Sequence, residues 1–189
     1  LNEADEERIE NLPQLLGYSN PLIVTEKLDG TSCTYILERI RHKFRKDTFE
    51  FYVTSRNIRQ LTPSQDTFWK EKNIYCDLAK KYDIETKLFN FLNVRPELDY
   101  VCIQGEGVGS VQGNPLKLDE DDLYIFNFID SKEGRWPSTL GKDLIETWGM
   151  KWVPIIDTEF YMPDNMEEFK LVADGRSVVN PRVNREGLV

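Results

Sequence analysis

Histidine and cysteine are scarce in this chain of 189 residues. It has one histidine, His42, and three widely spaced cysteines, Cys33, Cys76 and Cys102. An odd number of cysteines without a CxxC pair predicts neither a disulfide framework nor a zinc site. A single histidine argues against catalysis by paired histidines and against metal cages built from several of them. These scarcities favour a protein of a reducing, cytoplasmic compartment.

Long apolar runs and a positive net charge are also missing. No stretch approaches the roughly 20 apolar residues that a membrane span needs, and the acidic start, LNEADEERIE, is unlike a signal peptide. We therefore expect no membrane partner. A net charge of −9 argues against a non-specific nucleic-acid coat protein, because such binding depends on cations that neutralise phosphates. One basic segment, RIRHKFRK at residues 39–46, is either a solvated hairpin turn or a local contact for nucleic acid.

The length of 189 residues allows one large domain or a tight pair of lobes. The hydrophobic pattern predicts an α+β fold with mainly antiparallel sheets, because strands and helices follow one another without a regular βαβ period. Strands are predicted at residues 22–27, 31–40, 49–54, 99–106, 122–130, 152–160 and 183–189. Helices are predicted at residues 3–12, at 64–93 with a break near 83, and after residues 138 and 164. The basic segment falls at the turn of a predicted hairpin.

In the segment VTEKLDGTSC, residues 24–33, Lys27 lies between the carboxylates Glu26 and Asp29, and Gly30 follows directly after Asp29. A lysine in water has a pKa near 10.4. Near neutral pH, about one molecule in a thousand therefore carries the free amine that a nucleophile needs. Alternate residues of a strand share a face, which puts Asp29 beside Lys27, where its charge would hold the amine protonated. This conflict is removed if Asp29 helps to hold a divalent metal ion, and a metal beside a nucleophilic lysine indicates phosphate chemistry.

Four further segments carry acidic, basic or aromatic residues at predicted strands or their ends. Glu106 lies among glycines in VCIQGEGVGSVQGN, Phe126 lies in LYIFNFID, Arg56 lies in TSRN, and Glu186 begins EGLV. Taken singly, they have ordinary interpretations as a loop acid, a core aromatic, a surface charge and a strand-edge acid.

In this order the segments resemble the covalent nucleotidyltransferase superfamily of polynucleotide ligases and RNA capping enzymes. The form EKLDGTS, with QGE and VQGNP, is most similar to ATP-dependent RNA ligases, and nearest to their nick-sealing, Deinococcus-type branch. The resemblance implies two mainly antiparallel sheets with flanking helices that enclose a nucleotide pocket, the ATP-grasp-like arrangement of a ligase nucleotidyltransferase domain, over residues 1–189. We expect the lysine-bearing last motif of the family beyond residue 189, and an OB-type domain outside this chain.

The resemblance implies a reaction centred on Lys27. Its amine attacks the α-phosphate of ATP, releases pyrophosphate and becomes lysyl-AMP; the AMP then passes to a 5′-phosphate, and a 3′-hydroxyl seals the nick. The metal ligands implied for Mg²⁺ or Mn²⁺ are Asp29, Glu106 and Glu186. The implied partner is RNA or an RNA-containing nicked duplex.

The same resemblance implies the residues that bind the nucleotide. Glu26 reads the amino edge of adenine, and Phe126 stacks on the purine. Gly30, Arg56 and Glu106 contact the nucleotide, the last two on its ribose and phosphate side. Two alternatives stay open: a DNA ligase or GTP-dependent capping guanylyltransferase, and a non-catalytic nucleotide- or RNA-binding module.

Overall fold

The computed structural model describes residues 7–55 and 73–189, and these residues form nine β-strands and four α-helices. The strands are β1 (Leu22–Lys27), β2 (Thr31–Ile40), β3 (Thr48–Thr54), β4 (Tyr100–Val108), β5 (Asp122–Asp130), β6 (Gly134–Arg135), β7 (Lys151–Trp152), β8 (Ile155–Phe160) and β9 (Gly187–Leu188). The helices are α1 (Ile74–Lys81), α2 (Ile84–Asn93), α3 (Ser138–Thr147) and α4 (Met166–Ala173). None of the described helices is long and apolar enough to cross a membrane.

The strands form two sheets that the chain joins directly. The larger sheet has the antiparallel order β3-β2-β4-β5-β6, with β7 added to β5 in parallel. The smaller sheet has the antiparallel order β8-β1-β9. Because β1 belongs to the smaller sheet and β2 to the larger, the turn at residues 28–30 lies where the two sheets meet. The predicted α+β class with mainly antiparallel sheets is confirmed.

The apolar face of the larger sheet packs against helices and forms the core. Tyr35 and Leu37 of β2 and Ile103 of β4 are fully buried in it, together with Leu88 and Phe91 of α2. Burying one such side chain contributes about 1.5–3 kcal/mol. The hydrophobic pattern that predicts these strands therefore reflects one face of the sheet packed against α2 and the core.

The opposite face of the larger sheet is polar near the start of β2. Ser32 is paired with Glu106, and Thr34 is paired with Gln104. Directly paired residues of antiparallel strands share a face, so these side chains form one polar surface. Gln104 is in turn paired with Asn127, whose amide donates to the Gln104 side-chain oxygen at 2.9 Å. This surface adjoins the turn at residues 28–30.

Most predicted elements are present, and the differences have local causes. The strand predicted at 152–160 is interrupted at Val153 and Pro154, since proline has no amide hydrogen for a ladder. The last strand is shorter than predicted and covers residues 187–188. The predicted break in the second helical segment is confirmed: Asp83 has a φ of 47° and separates α1 from α2.

The predicted helix at residues 3–12 is wrong in its described part. Residues 9–11 form a 3₁₀ turn, and a second 3₁₀ turn begins at Pro13. Neither turn contains a buried residue. Tertiary packing of these residues therefore does not stabilise a longer helix here. The beginnings of this segment and of the one predicted at residues 64–93 lie outside the described residues.

Gly30 lies where the turn passes close to β4, and this close approach leaves no room for a side chain. A Cβ atom at this position would lie 2.2 Å from the carbonyl oxygen of Gly107. We expect Gly30→Ala to lower the free energy of unfolding by about 3 kcal/mol, the upper range for overpacking, in chemical denaturation. Gly187→Ala is the matched control, because its Cβ would meet no atom within 4 Å. Equal stability of the two variants would contradict this account of the turn.

Candidate functional site

Lys27 ends β1 and lies beside the last strand. Lys27 is paired with Gly187, and Glu26 is paired with Leu188. This pairing brings the carboxylate of Glu186 into an ion pair with the Lys27 amine, although the residues are 159 positions apart. The Lys27 side chain is 50% exposed and the Glu186 side chain 37% exposed. The amine is thus held at the protein surface by an acid from the predicted set, and is open to an incoming substrate.

Glu26 is a buried carboxylate with one unused oxygen. The residue is 2% exposed. Its Oε2 accepts a hydrogen bond from the backbone amide of Val178 at 2.8 Å, in the segment that follows α4. Its Oε1 is buried and has no hydrogen-bond donor among the residues that the structure describes. A buried acceptor without a donor costs about 1–3 kcal/mol, so this atom is suited to a donor supplied by a ligand.

Glu106 lies on the polar face, close to the turn that follows Lys27. It is paired with Ser32 on one side and with Tyr124 on the other. Its Cγ lies 3.1 Å from the position that a Cβ of Gly30 would occupy. The absence of a side chain at Gly30 thus lets the turn approach Glu106 closely, as expected where the backbone borders a ligand site.

Phe126 occupies an irregularity in the pairing of β4 with β5. Gln104 is paired with Asn127 and Gly105 with Ile125, so Phe126 is the extra residue of a β-bulge. Such bulges redirect side chains and are frequent beside functional sites. Phe126 packs against the core but is half-buried, whereas the neighbouring Ile125 is fully buried. Part of its ring is therefore accessible.

The three predicted metal ligands are carboxylates. Asp29 and Glu186 lie in two segments beside Lys27, and Glu106 lies in β4. Asp29 is half-buried in the turn at residues 28–30, and Glu186 is bound to the Lys27 amine. Within residues 7–55 and 73–189, no three His, Cys, Asp or Glu side chains form a group that could hold a metal ion. The ligand set of Asp29, Glu106 and Glu186 stays a prediction. Arg56 lies outside the described residues.

A cavity of about 350 Å³ that no sequence motif indicates lies beside this site. Its walls include Tyr124, which is paired with Glu106, and Val179, which follows the amide partner of Glu26. Lys151 lies 5.6 Å from the ring centroid of Tyr124 and forms an ion pair with Asp122. The seven motif residues predicted within the described segments lie outside the cavity lining. Lys151 and the Val178 amide belong to no recognisable motif, since only the folded chain brings them here.

Charge pairing controls the ionisation of the cavity wall. Burial alone raises the pKa of the Asp122 carboxyl, but hydrogen bonds from Lys151, Tyr82 and the Leu123 amide outweigh it and lower the pKa below its usual value. The same contact with Asp122 raises the pKa of Lys151. The pair is therefore ionised at neutral pH.

The cysteines do not supply a nucleophile. All three are buried free thiols. Burial, assisted by the charge of Glu106, raises the pKa of Cys33 to about 12, and burial raises that of Cys102 to about 12. Because the thiolate is the reactive form, the half-exposed Lys27 is the better candidate for covalent chemistry.

Comparisons with known proteins indicate the family and the fold of the chain. A family model for RNA ligases matches residues 20–189. Three similar solved structures are of Naegleria gruberi RNA ligase: a lysine-to-alanine mutant with ATP and Mn, with 28% identity and a TM-score of 0.74; an arginine-to-alanine mutant with ATP and Mn, with 28% identity and a TM-score of 0.73; and an aspartate-to-alanine mutant without ligand, with 26% identity and a TM-score of 0.72. Each covers 100% of this chain, which spans 51%, 52% and 51% of those chains, respectively. No curated protein matches the chain at a significant level.

Proposed function

This chain belongs to the RNA ligase family, and we propose that it is the adenylyltransferase domain of an ATP-dependent RNA ligase, in which Lys27 carries AMP as a covalent adduct. The chain spans about half the length of the solved structures that it matches. The proposal for the whole protein is that it joins RNA ends by way of this adduct.

The observation that carries the proposal is the unused oxygen of Glu26. Its neighbour in sequence, Lys27, ends the same strand, so in this proposal the base is bound at Glu26 and the phosphates extend past the end of the strand to the amine. Adenine presents an exocyclic amino group, a donor that fits Glu26 Oε1. Guanine presents a carbonyl oxygen at the corresponding edge, and two acceptors facing each other in a buried site are unfavourable. The site therefore favours ATP over GTP.

The half-exposed amine of Lys27 supplies the nucleophile. When its free amine attacks the α-phosphorus of ATP, the nitrogen–phosphorus bond forms, the bond to the bridging oxygen of the β-phosphate breaks, pyrophosphate leaves, and the lysine nitrogen loses a proton. Glu186 holds this amine in the free protein and must release it for attack. Phe126, with part of its ring accessible, is placed by the bulge of β5 and stacks on the purine in this proposal.

A divalent ion fits the carboxylates around the lysine. Magnesium is commonly bound by one or two carboxylates together with substrate phosphates and water, so it does not require a preformed group of three acids. Asp29 and Glu186 would hold it, with Glu106 assisting from β4. When bound, Mg²⁺ or Mn²⁺ neutralises the phosphate charge that develops during transfer.

Nucleotide choice tests the proposal. We expect the full-length protein to become labelled by ATP that carries its label on the α-phosphate, and not by GTP labelled in the same way. Omitting the divalent ion or adding a chelator should prevent labelling. Labelling by GTP alone would indicate a guanylyltransferase instead. Reversible nucleotide binding without a covalent label would indicate a non-catalytic binding module.

A further inference from the structure

The turn between β2 and β3 carries an exposed group that the proposed reaction does not use. Residues 43–46, here called the basic tip, are Lys43, Phe44, Arg45 and Lys46, and all four are exposed. Phe44 is 90% exposed, an unusual state for a large apolar side chain. The amine of Lys43 lies 5.2 Å from the centroid of its ring, so a cation and an aromatic face are presented together.

The rest of the basic segment has a structural role that supports the tip. Arg39 is buried, donates from Nε to the Leu98 carbonyl oxygen at 3.0 Å, and forms an ion pair with Asp47 at 3.2 Å. Arg41 donates from Nε to Asp99 at 2.8 Å. These contacts engage both arginines within the fold. They hold the start of the hairpin turn against the segment that precedes β4. The basic segment therefore has two parts: arginines that are bound within the fold, and the exposed basic tip.

The three cations of the tip lack acidic partners. Among the residues that the structure describes, no carboxylate lies within ion-pair distance of Lys43, Arg45 or Lys46. Three unpaired cations are notable in a chain with a net charge of −9. Their charge is complementary to phosphate. Proteins that bind nucleic acids combine cations, which contact the phosphate backbone, with exposed aromatic rings, which contact bases or sugars.

We propose that the basic tip holds one arm of the RNA duplex that is being joined. Lys43, Arg45 and Lys46 contact phosphates of the backbone, and Phe44 packs against riboses in the wide, shallow minor groove of the duplex. This inference rests on the proposed function, because it names where the nucleic-acid substrate of the same reaction is held.

The geometry makes this contact dependent on duplex length. The strand β2 begins at Thr31, next to the turn that follows Lys27, and runs for ten residues towards the tip. At about 3.3 Å per residue, β2 spans about 30 Å, and the tip lies beyond its far end. With a rise of about 3 Å per base pair, an arm that runs along β2 must extend for roughly ten base pairs or more beyond the join to reach the tip.

The experiment measures binding of the full-length protein to nicked RNA duplexes with one arm of about 6 or about 18 base pairs, on either side of roughly ten. Each arm is shortened in turn. For the variant Lys43→Ala/Arg45→Ala/Lys46→Ala, we expect binding of the long duplex to weaken at least about tenfold, and the slope of log K against log salt to fall by about 2–3. When the arm that the tip contacts is the short one, the variant and the wild type should bind the duplex equally. Phe44→Ala should weaken long-duplex binding without changing the salt slope.

The control variant is Lys132→Ala/Lys142→Ala/Lys170→Ala, which removes the same charge from elsewhere on the surface and should bind both duplexes like the wild type. Equal loss with both arm lengths, or no loss with either, would overturn the inference. Labelling by ATP without RNA separates this result from the proposed function. If the tip variant labels normally and loses long-duplex binding, both hold; if the wild type does not label but binding depends on the tip and on arm length, the proposed reaction fails and the RNA contact stands.

Discussion

Replacing Lys27 by arginine will abolish covalent labelling by ATP, with a loss of at least about a thousandfold in the rate of adduct formation. Arginine keeps the positive charge and the contact with Glu186, but its guanidinium stays protonated in proteins and is not a nucleophile. The variant therefore separates the charge of this side chain from its chemistry. The measurement is the label retained on the denatured protein after incubation with α-phosphate-labelled ATP.

The folded state should be unaffected by this change. The Lys27–Glu186 ion pair is half-exposed, and exposed ion pairs contribute about 0–1 kcal/mol. Lys27→Ala should accordingly unfold within a few degrees of the wild type while also failing to label. If Lys27→Arg labels like the wild type, the nucleophile is another residue. If Lys27→Ala unfolds the domain, the lysine has a structural role that the exposed ion pair does not explain.

Replacing Glu26 by glutamine will weaken ATP binding by about 10- to 150-fold, the range that corresponds to a hydrogen bond to a charged group of about 1.5–3 kcal/mol. The amide oxygen of glutamine can still accept from the Val178 amide. Its NH₂ group then occupies the place of the unused oxygen and faces the amino group of adenine, so two donors meet. We expect the loss in equilibrium binding of ATP to the full-length protein.

The stability of the Glu26→Gln variant distinguishes a binding role from a structural one. Because the variant replaces a buried carboxylate that lacks one partner, its free energy of unfolding without nucleotide should equal or exceed that of the wild type. Glu167→Gln is the control, since Glu167 lies exposed in the first turn of α4. It should leave ATP affinity unchanged and lower the free energy of unfolding by at most about 1 kcal/mol, through the lost interaction with the helix dipole. A less stable variant with unchanged ATP affinity would show that Glu26 serves the fold alone.

The local pattern of the sequence was sufficient for the elements that form the site. The strands at 22–27, 31–40 and 122–130 have the predicted bounds, because short apolar segments bounded by turn residues are typical of strands in a packed sheet. The order of the motifs, together with these strands, then placed Lys27 in a strand and Glu186 at the entrance to another. The ion pair between these two residues is consistent with that order.

Other parts of the site arise from tertiary contacts that no local pattern records. The Val178 amide that holds Glu26 is a backbone group, and backbone groups are the same in every residue type. The bulge at Phe126 depends on Gly105, where a Cβ would lie 2.6 Å from the Tyr124 carbonyl oxygen. The division of the basic segment depends on carbonyl oxygens around Arg39. In each case the deciding partner lies far away in sequence.

The central claim is that the amine of Lys27 forms a bond with AMP. Its most direct test is peptide mass mapping of the full-length protein after incubation with ATP and Mg²⁺ or Mn²⁺. The account predicts one adenylyl group on the peptide that contains Lys27, bound through an acid-labile and alkali-stable nitrogen–phosphorus bond. An adenylyl group on a different residue, or an unmodified Lys27 in protein that has bound ATP and the metal ion, would contradict it.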